Sequence, residues 1–303
     1  MWEGSLVIVG IDESGNKSTL GTTLTPHRGT VTALTLCDNT TLITAGKDCT
    51  IALWAIHEID NRYFPPPPTT TTHNTRNSHM MYPMCRQGLI SSIFSASKLE
   101  PPKLTLKLLM TGPTEEILCL DSDTTLHICA ASSSDGTTHL FDLRNGAFLL
   151  SLNYNRTSRS DNNNTNNKDT YQSDGSFADA VRVISYVKIL SGKKQVVSYC
   201  RQQRVLYLHS VGGGELVAWK KVDWMERIDC WTITRDGKYL IGGGKEGSLA
   251  LFSVDSNRFY LQDSLKSSSK VEVTSLALAE ERKTEFLLVG YANGLLKVFP
   301  FRS

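Results

Sequence analysis

One turn-and-strand pattern recurs along this sequence and constrains its fold more than any other feature. Glu3-Gly4-Ser5-Leu6 returns as Glu246-Gly247-Ser248-Leu249. After Asp48, Asp135, Glu246 and Asn293, a strand-like run places a large aromatic six positions on, at Trp54, Phe141, Phe252 and Phe299. Glu3 leads likewise to Val9, and a weaker copy leads from Gln202 to Leu208. An acidic or amide residue, often followed by Gly, is the chemistry of a tight hairpin turn that needs φ > 0. The alternating apolar run behind it is a half-buried strand ending in a bulky packing residue. A unit repeated in this way builds a stacked or radial β architecture.

The strands before each turn follow from the same alignment. Val31 to Leu36 precedes Thr41 to Gly46, Ile117 to Leu120 precedes Leu126 to Ala130, Ile228 to Ile233 precedes Tyr239 to Gly242, and Val273 to Leu278 precedes Phe286 to Gly290. Each unit therefore reads strand, turn, strand, hairpin turn, strand, with a less regular fourth strand in the connection. Five units are visible, plus the closing strand of an earlier one. Helical periodicity is absent over any useful length, and radial closure is how such repeats limit exposed edges.

Glu246 to Asn293 is one repeat, close to the roughly 40–45 residues of a propeller blade. Asp48 to Asp135 is nearly twice as long. The excess lies in an insert over 61–103, with Pro65 to Pro68, Thr69 to Thr72 and a His/Asn/Met-rich stretch. A second insert, over 153–179, carries Asn162-Asn163-Asn164-Thr165-Asn166-Asn167. Such composition buries too little apolar surface to offset ordering, so both inserts are expected to be disordered. The chain, 1–303, is otherwise expected to form a single propeller region.

The charge balance, 32 basic against 30 acidic residues, gives a net of +2 and no field for nucleic acid or an acidic membrane surface. Seven cysteines show no C-x-x-C pair and no zinc-finger spacing, which points to a reducing compartment. No apolar run approaches ~18 residues, so no transmembrane segment is expected. The expected location is cytoplasmic, with any membrane association made through partners.

No reaction constellation stands out, and no cofactor or metal is expected. Gly242 to Ser248 superficially suggests a phosphate loop, but Glu246 follows Lys245 and a strand follows the turn, so the hairpin reading is preferred. His27 lacks a nucleophile motif such as G-x-S-x-G. His73, His79, Met80, Met81, Met84 and Cys85 offer soft-metal ligands only within low-complexity sequence. Asp48, Asp135 and Glu246 occupy equivalent turns of different units, so they should spread around a ring and not converge as paired carboxylates. Trp219, Trp224 and Trp231 cluster in sequence; Trp224, in the polar connection Lys220 to Asp223, is the candidate partner contact.

His27 to Thr32, through Thr44-Ala45-Gly46-Lys47-Asp48 to Leu53-Trp54, resembles a WD-repeat blade. The resemblance implies that His27, Thr44, Asp48 and Trp54 brace neighbouring strands by hydrogen bonds. The other units keep Asp135 or an equivalent and an aromatic but lose the His. The order of units is similar to the C-terminal propeller of BEACH-domain, neurobeachin-like proteins. The segments that carry this likeness are Trp2 to Val7, His27 to Trp54, Gly112 to Leu152, Arg227 to Val254 and Val273 to Phe299. That resemblance implies an N-terminally incomplete seven-bladed ring, with upstream BEACH and PH-like domains in a longer protein. It further implies a non-enzymatic scaffold in vesicle and membrane trafficking whose partners are other proteins. The alternatives are a WD-repeat adaptor of another pathway, such as a ubiquitin-ligase or coat subunit, and an enzyme built on a propeller. Met1 stands where a turn is already under way, so the first unit is expected to lack two strands and the isolated chain to be marginal.

Overall fold

In the computed structural model the described residues are 5–11, 17–24, 27–38, 40–57, 103–154, 183–222, 228–234, 236–255, 258–265, 270–281 and 284–301. They form β-strands throughout, with one 3-10 turn at Ser191–Lys193 and no α-helix among them. Four sheets have four strands each. The B sheet contains β3 (Val31–Asp38), β4 (Thr41–Gly46), β5 (Thr50–His57) and β6 (Lys103–Thr111). The C sheet contains β7 (Ile117–Asp123), β8 (Ile128–Ser133), β9 (Thr138–Asp142) and β10 (Phe148–Ser151). The D sheet contains β11 (Ile184–Leu190), β12 (Gln195–Cys200), β13 (Val205–Ser210) and β14 (Leu216–Lys221). The E sheet contains β15 (Ile228–Ile233), β16 (Tyr239–Gly244), β17 (Leu249–Val254) and β18 (Phe259–Leu265).

A fifth, three-stranded F sheet contains β19 (Val273–Glu281), β20 (Thr284–Tyr291) and β21 (Leu296–Phe301). Ahead of them all, β1 (Ser5–Ile11) and β2 (Lys17–Leu24) make a two-stranded A sheet. Strands within every sheet follow chain order and pair antiparallel. The first strands β3, β7, β11, β15 and β19 lie beside one another in sequence, which is a five-blade propeller arrangement.

Two irregularities recur and fix the register. The first strand of every blade carries a β-bulge one residue in, at Val31/Ala33, Ile117/Cys119, Ile184/Tyr186, Ile228/Cys230 and Val273/Ser275. The residue before each bulge is Val or Ile, the branched shape that packs best on a pleated surface. A second bulge sits between third and fourth strands, at Leu53/Trp54, Leu208/His209 and Leu251/Phe252, with the C sheet bulged opposite Leu140 and Phe141. Bulges bend and twist a strand locally. The first recurs in all five blades and the second in the four four-stranded sheets, which gives those four the same shape and lets them stack.

Apolar side chains on both faces of each middle sheet form the core. Between B and C, Ile43, Ile51, Leu53 and Met110 meet Ile117, Cys129, Ala131 and Phe141. Between D and E, Tyr199, Leu206 and Leu208 meet Ile228, Trp231 and Phe252. Each such Leu or Ile, fully buried, contributes on the order of 1.5–3 kcal/mol. Polar bonds add to all four junctions: Arg201 pairs with Asp229 between D and E (2.6 Å), and at the other three Thr32 donates to the Ile117 carbonyl, Cys119 to that of Ile184 (3.5 Å) and Cys230 to that of Val273 (3.6 Å). The three carbonyl acceptors are residues that precede a bulge.

The structure moves three sequence expectations. Lys103 begins β6, while Leu152 and Tyr154 are buried, so folded sequence reaches into the margins of both expected inserts. What remains of those inserts lies outside the described residues. The fourth copy of the repeat is shifted by one. The left-handed turn residues are Cys49, Gly136, Gly247 and Gly294, and in the D sheet Arg204 (φ 55). Gln203, not Gln202, is therefore the turn equivalent, and His209, not Leu208, holds the closing position. With an imidazole at the closing position, Leu208 is the nearest bulky apolar residue, which places the sequence reading of this copy one residue early.

Candidate functional site

The best-defined polar constellation lies in the B sheet. His27, just ahead of β3, reaches two neighbouring strands: Nδ1 donates to Asp48 Oδ1 at 3.0 Å, and Nε2 lies 2.9 Å from Thr44 Oγ1. Trp54 Nε1 donates to the same hydroxyl at 3.0 Å. Because a carboxylate only accepts, the consistent arrangement runs Trp54 N–H to Thr44, Thr44 O–H to His27 Nε2, and His27 Nδ1–H to Asp48. Asp48 also accepts from the Arg28 amide (2.7 Å) and the Thr50 hydroxyl (2.9 Å). Partial burial works to raise its pKa, but the Arg28 amide, His27 and Thr50 outweigh it and hold the carboxyl below its ordinary range. His27, Thr44 and Trp54 are buried, so the set stitches the entry to β3 onto β4 and β5 and presents no free catalytic group.

The other blades use different chemistry at the same places. Asp135 accepts from Thr137 N (2.8 Å), Thr137 Oγ1 (2.6 Å) and Thr114 Oγ1 (2.8 Å), so Thr114 stands in for the missing His. Glu246 sits in the turn with φ 60 and bridges to Lys270 through the backbone. Asn293 Oδ1 accepts from Leu295 N at 3.1 Å, a local side-chain bond that shapes the turn. Among closing residues, Trp54, Phe141 and Phe252 are buried at 3%, 0% and 0%, whereas Phe299 is 36% exposed. Phe299 departs from the packing role expected of it because β21 has no fourth strand beside it among the described residues.

Two groups were missed in the sequence. Tyr154 OH donates to Ser198 Oγ (3.1 Å) and lies 2.8 Å from Thr138 Oγ1, which is 2.8 Å from Ser132 Oγ, tying C to D through buried hydroxyls. Tyr154 falls within the expected insert 153–179; its signal in the sequence is the alternation Leu150-Ser151-Leu152 continuing into it. Asp121 on β7 accepts from Lys188 Nζ (2.6 Å) and the Ile189 amide (2.7 Å) on β11. Burial dominates there and pushes the Asp121 carboxyl up despite Lys188.

The glycine run 242–244 lies in β16, with β17 following it. A Cβ on Gly242 would stand 2.7 Å from Trp231, and one on Gly243 2.6 Å from Val273. These glycines admit the neighbouring side chains to the backbone, and no helix N-terminus follows to receive a phosphate. Trp231 packs on Tyr199 with ring centroids 4.9 Å apart, and Trp219 is half-exposed on β14. Trp224 lies outside the described residues. No group of three or more His, Cys, Asp or Glu side chains among the described residues is placed to hold a metal ion.

With this geometry, residues 18–55, which include β3, β4 and the His27 network, match the WD domain, G-beta repeat family. The chain carries a WD repeat. Propellers of this repeat generally serve as protein-interaction scaffolds. Over all 303 residues the chain is also 22% identical to BEACH domain-containing protein B of Arabidopsis thaliana. It spans 9% of that protein's length. No helix of the described residues is long and apolar enough to cross a membrane.

Proposed function

We propose that this propeller is a non-enzymatic interaction platform within a BEACH-type protein of vesicle and membrane trafficking, binding other proteins from the cytoplasmic side. The observation that carries the reading is the similarity of the whole chain to a BEACH domain-containing protein, together with the use of its polar residues. His27, Thr44, Asp48 and Trp54 bond to one another, and Asp48 also to Arg28 and Thr50 of the same blade. Asp135, Glu246 and Asn293 each shape the turn of a different blade, and Asp121 and Tyr154 join blades. The recurring positions of the repeat thus build the scaffold, and specificity is left to the exposed rims and connections. Trp224 is the proposed anchor in one such connection, between β14 and β15.

Affinity capture with the folded chain, comparing wild type and Trp224→Ala, tests this reading. Recovery of membrane-trafficking proteins that weakens at least tenfold with Trp224→Ala is the expected outcome. Recovery of chaperones alone would count against the trafficking role, and capture of an F-box or coat assembly would favour another adaptor pathway.

A further inference from the structure

The C sheet carries a hydrogen-bond chain that ends in solvent. His139 on β9 stands directly opposite Ser151 on β10, and its Nδ1 lies 2.7 Å from the Ser151 hydroxyl. Its Nε2 lies 3.0 Å from Thr137 Oγ1, which donates to Asp135 Oδ1 at 2.6 Å. A carboxylate only accepts, so the Thr137 proton goes to Asp135 and the Thr137 oxygen receives Nε2–H. That tautomer leaves Nδ1 as the acceptor for the Ser151 O–H. Burial outweighs the Asp135 charge and holds the His139 pKa below its ordinary 6.5, so the ring is neutral near neutral pH.

The repeat does not call for this histidine. Four residues after the turn acid, the same place is Ala52 in the B sheet and Ala250 in the E sheet. Ala250 also faces a serine, Ser264 on β18, in the register of the His139–Ser151 pair. Ser151 is exposed, so its hydroxyl is not buried between blades as those of Ser132 and Ser198 are. Leu152 N donates to the Thr138 carbonyl, which makes Ser151 and His139 a non-hydrogen-bonded pair. Their side chains are therefore close, and the Ser151 N–H turns away from β9 towards the outer edge of the sheet. Phe148, 52% exposed, stands edge-on to His139 with ring centroids 5.6 Å apart and sets an apolar surface beside the hydroxyl.

We infer that Ser151 is a covalent modification site, a serine activated by His139 that accepts an apolar acyl group from a thioester or activated ester. Ser151 Oγ bonds to the carbonyl carbon as its proton passes to His139 Nδ1, with Nε2–H anchored through Thr137 to Asp135. The bond from that carbon to the leaving sulfur or oxygen then breaks. The departing thiol or alcohol takes the proton from Nδ1, and the acyl ester stays on Ser151. A nucleophile within hydrogen-bond reach of a base that a third group orients is the arrangement such a transfer needs. The outward Ser151 amide is the donor available to the developing oxyanion, and Phe148 offers contact to an apolar acyl chain. The site adds a covalent mark to an interaction platform, and it stands or falls independently of the trafficking role.

The test treats residues 1–303 with p-nitrophenyl butyrate or p-nitrophenyl acetate and locates the acylated serines by mass spectrometry. Ser151 should be butyrylated about tenfold faster or more than Ser264, which holds the same position without the imidazole. His139→Gln should slow Ser151 acylation about tenfold or more and leave Ser264 unchanged. Phe148→Ala should slow butyrylation of Ser151 about threefold or more with acetylation unchanged, a selectivity that general loss of structure would not give. Should a variant fail to fold, the ratio of Ser151 to Ser264 labelling in the wild type decides alone. Equal labelling of the two serines, or Ser151 labelling indifferent to His139→Gln, overturns the proposal. An unchanged butyrate rate in Phe148→Ala overturns the preference for an apolar chain. Sustained nitrophenolate release with no acyl-Ser151 recovered also overturns the proposal, in favour of a hydrolytic site.

Discussion

Thr44 holds two buried partners at once, because it both accepts from Trp54 and donates to His27. Thr44→Val keeps the shape and removes both bonds, leaving an indole N–H and an imidazole nitrogen without partners. A buried polar group so orphaned costs ~1–3 kcal/mol. Urea unfolding should show a loss of that size, with little change in slope. His209 supplies a second residue-scale test. Burial holds its pKa down to about 4, against an ordinary 6.5, with Nε2 donating to the Asn153 carbonyl at 3.1 Å. A depressed histidine means the unfolded state binds the proton first. Its contribution is therefore complete above pH ~6.5 and is lost as pH falls towards ~4, by up to about 3 kcal/mol. His209→Phe, which copies the closing residue of the C and E sheets, should flatten the thermal-midpoint profile in that window. Asp48 acts lower: its carboxyl is held below the ordinary 3.8, so its bonds persist above that value and fail only as pH drops through its lowered pKa.

At the scale of the element, the strand pattern was legible because alternation and turn chemistry are local. The turns at Asp48, Asp135, Glu246 and Asn293 and the strands around them were read from the sequence. The bulges were not, since a bulge changes pairing partners without changing which residues are apolar. The one-residue slip from Leu208 to His209 has the same cause: in Val205-Leu206-Tyr207-Leu208-His209 every residue is compatible with burial, so alternation does not set the phase. β16 carries a prediction of its own. Gly243→Ala places a methyl carbon 2.6 Å from Val273, across the E–F junction, and 3.0 Å from Cys230 in its own sheet. Overpacking of this kind costs ~1–3 kcal/mol. The loss should appear in thermal melts as earlier exposure of the F sheet, with slower-exchanging amides in β12 unaffected.

For the whole molecule, stability should depend on where a blade stands in the array. Leu208 and Val298 occupy the same repeat position, one before the closing residue. Leu208 is fully buried against the E sheet, and Val298 is 53% exposed on the F sheet. Leu208→Ala should cost ~2–5 kcal/mol as a core truncation, and Val298→Ala should stay within about 0.5 kcal/mol as a surface change. Equal effects in chemical denaturation would mean that the F sheet is covered in solution. The sequence by itself determined the β-class, the repeating unit, its turn residues and most of its closing aromatics, because each is encoded within a span shorter than one blade. The tertiary structure decided the phase of the D sheet and the use of Tyr154 and Asp121 as ties between blades. It also decided why Gly242 and Gly243 carry no side chain, and which ends of the array stay bare. Those outcomes depend on which surface meets which across residues far apart in the chain, and no local pattern of polarity contains that pairing.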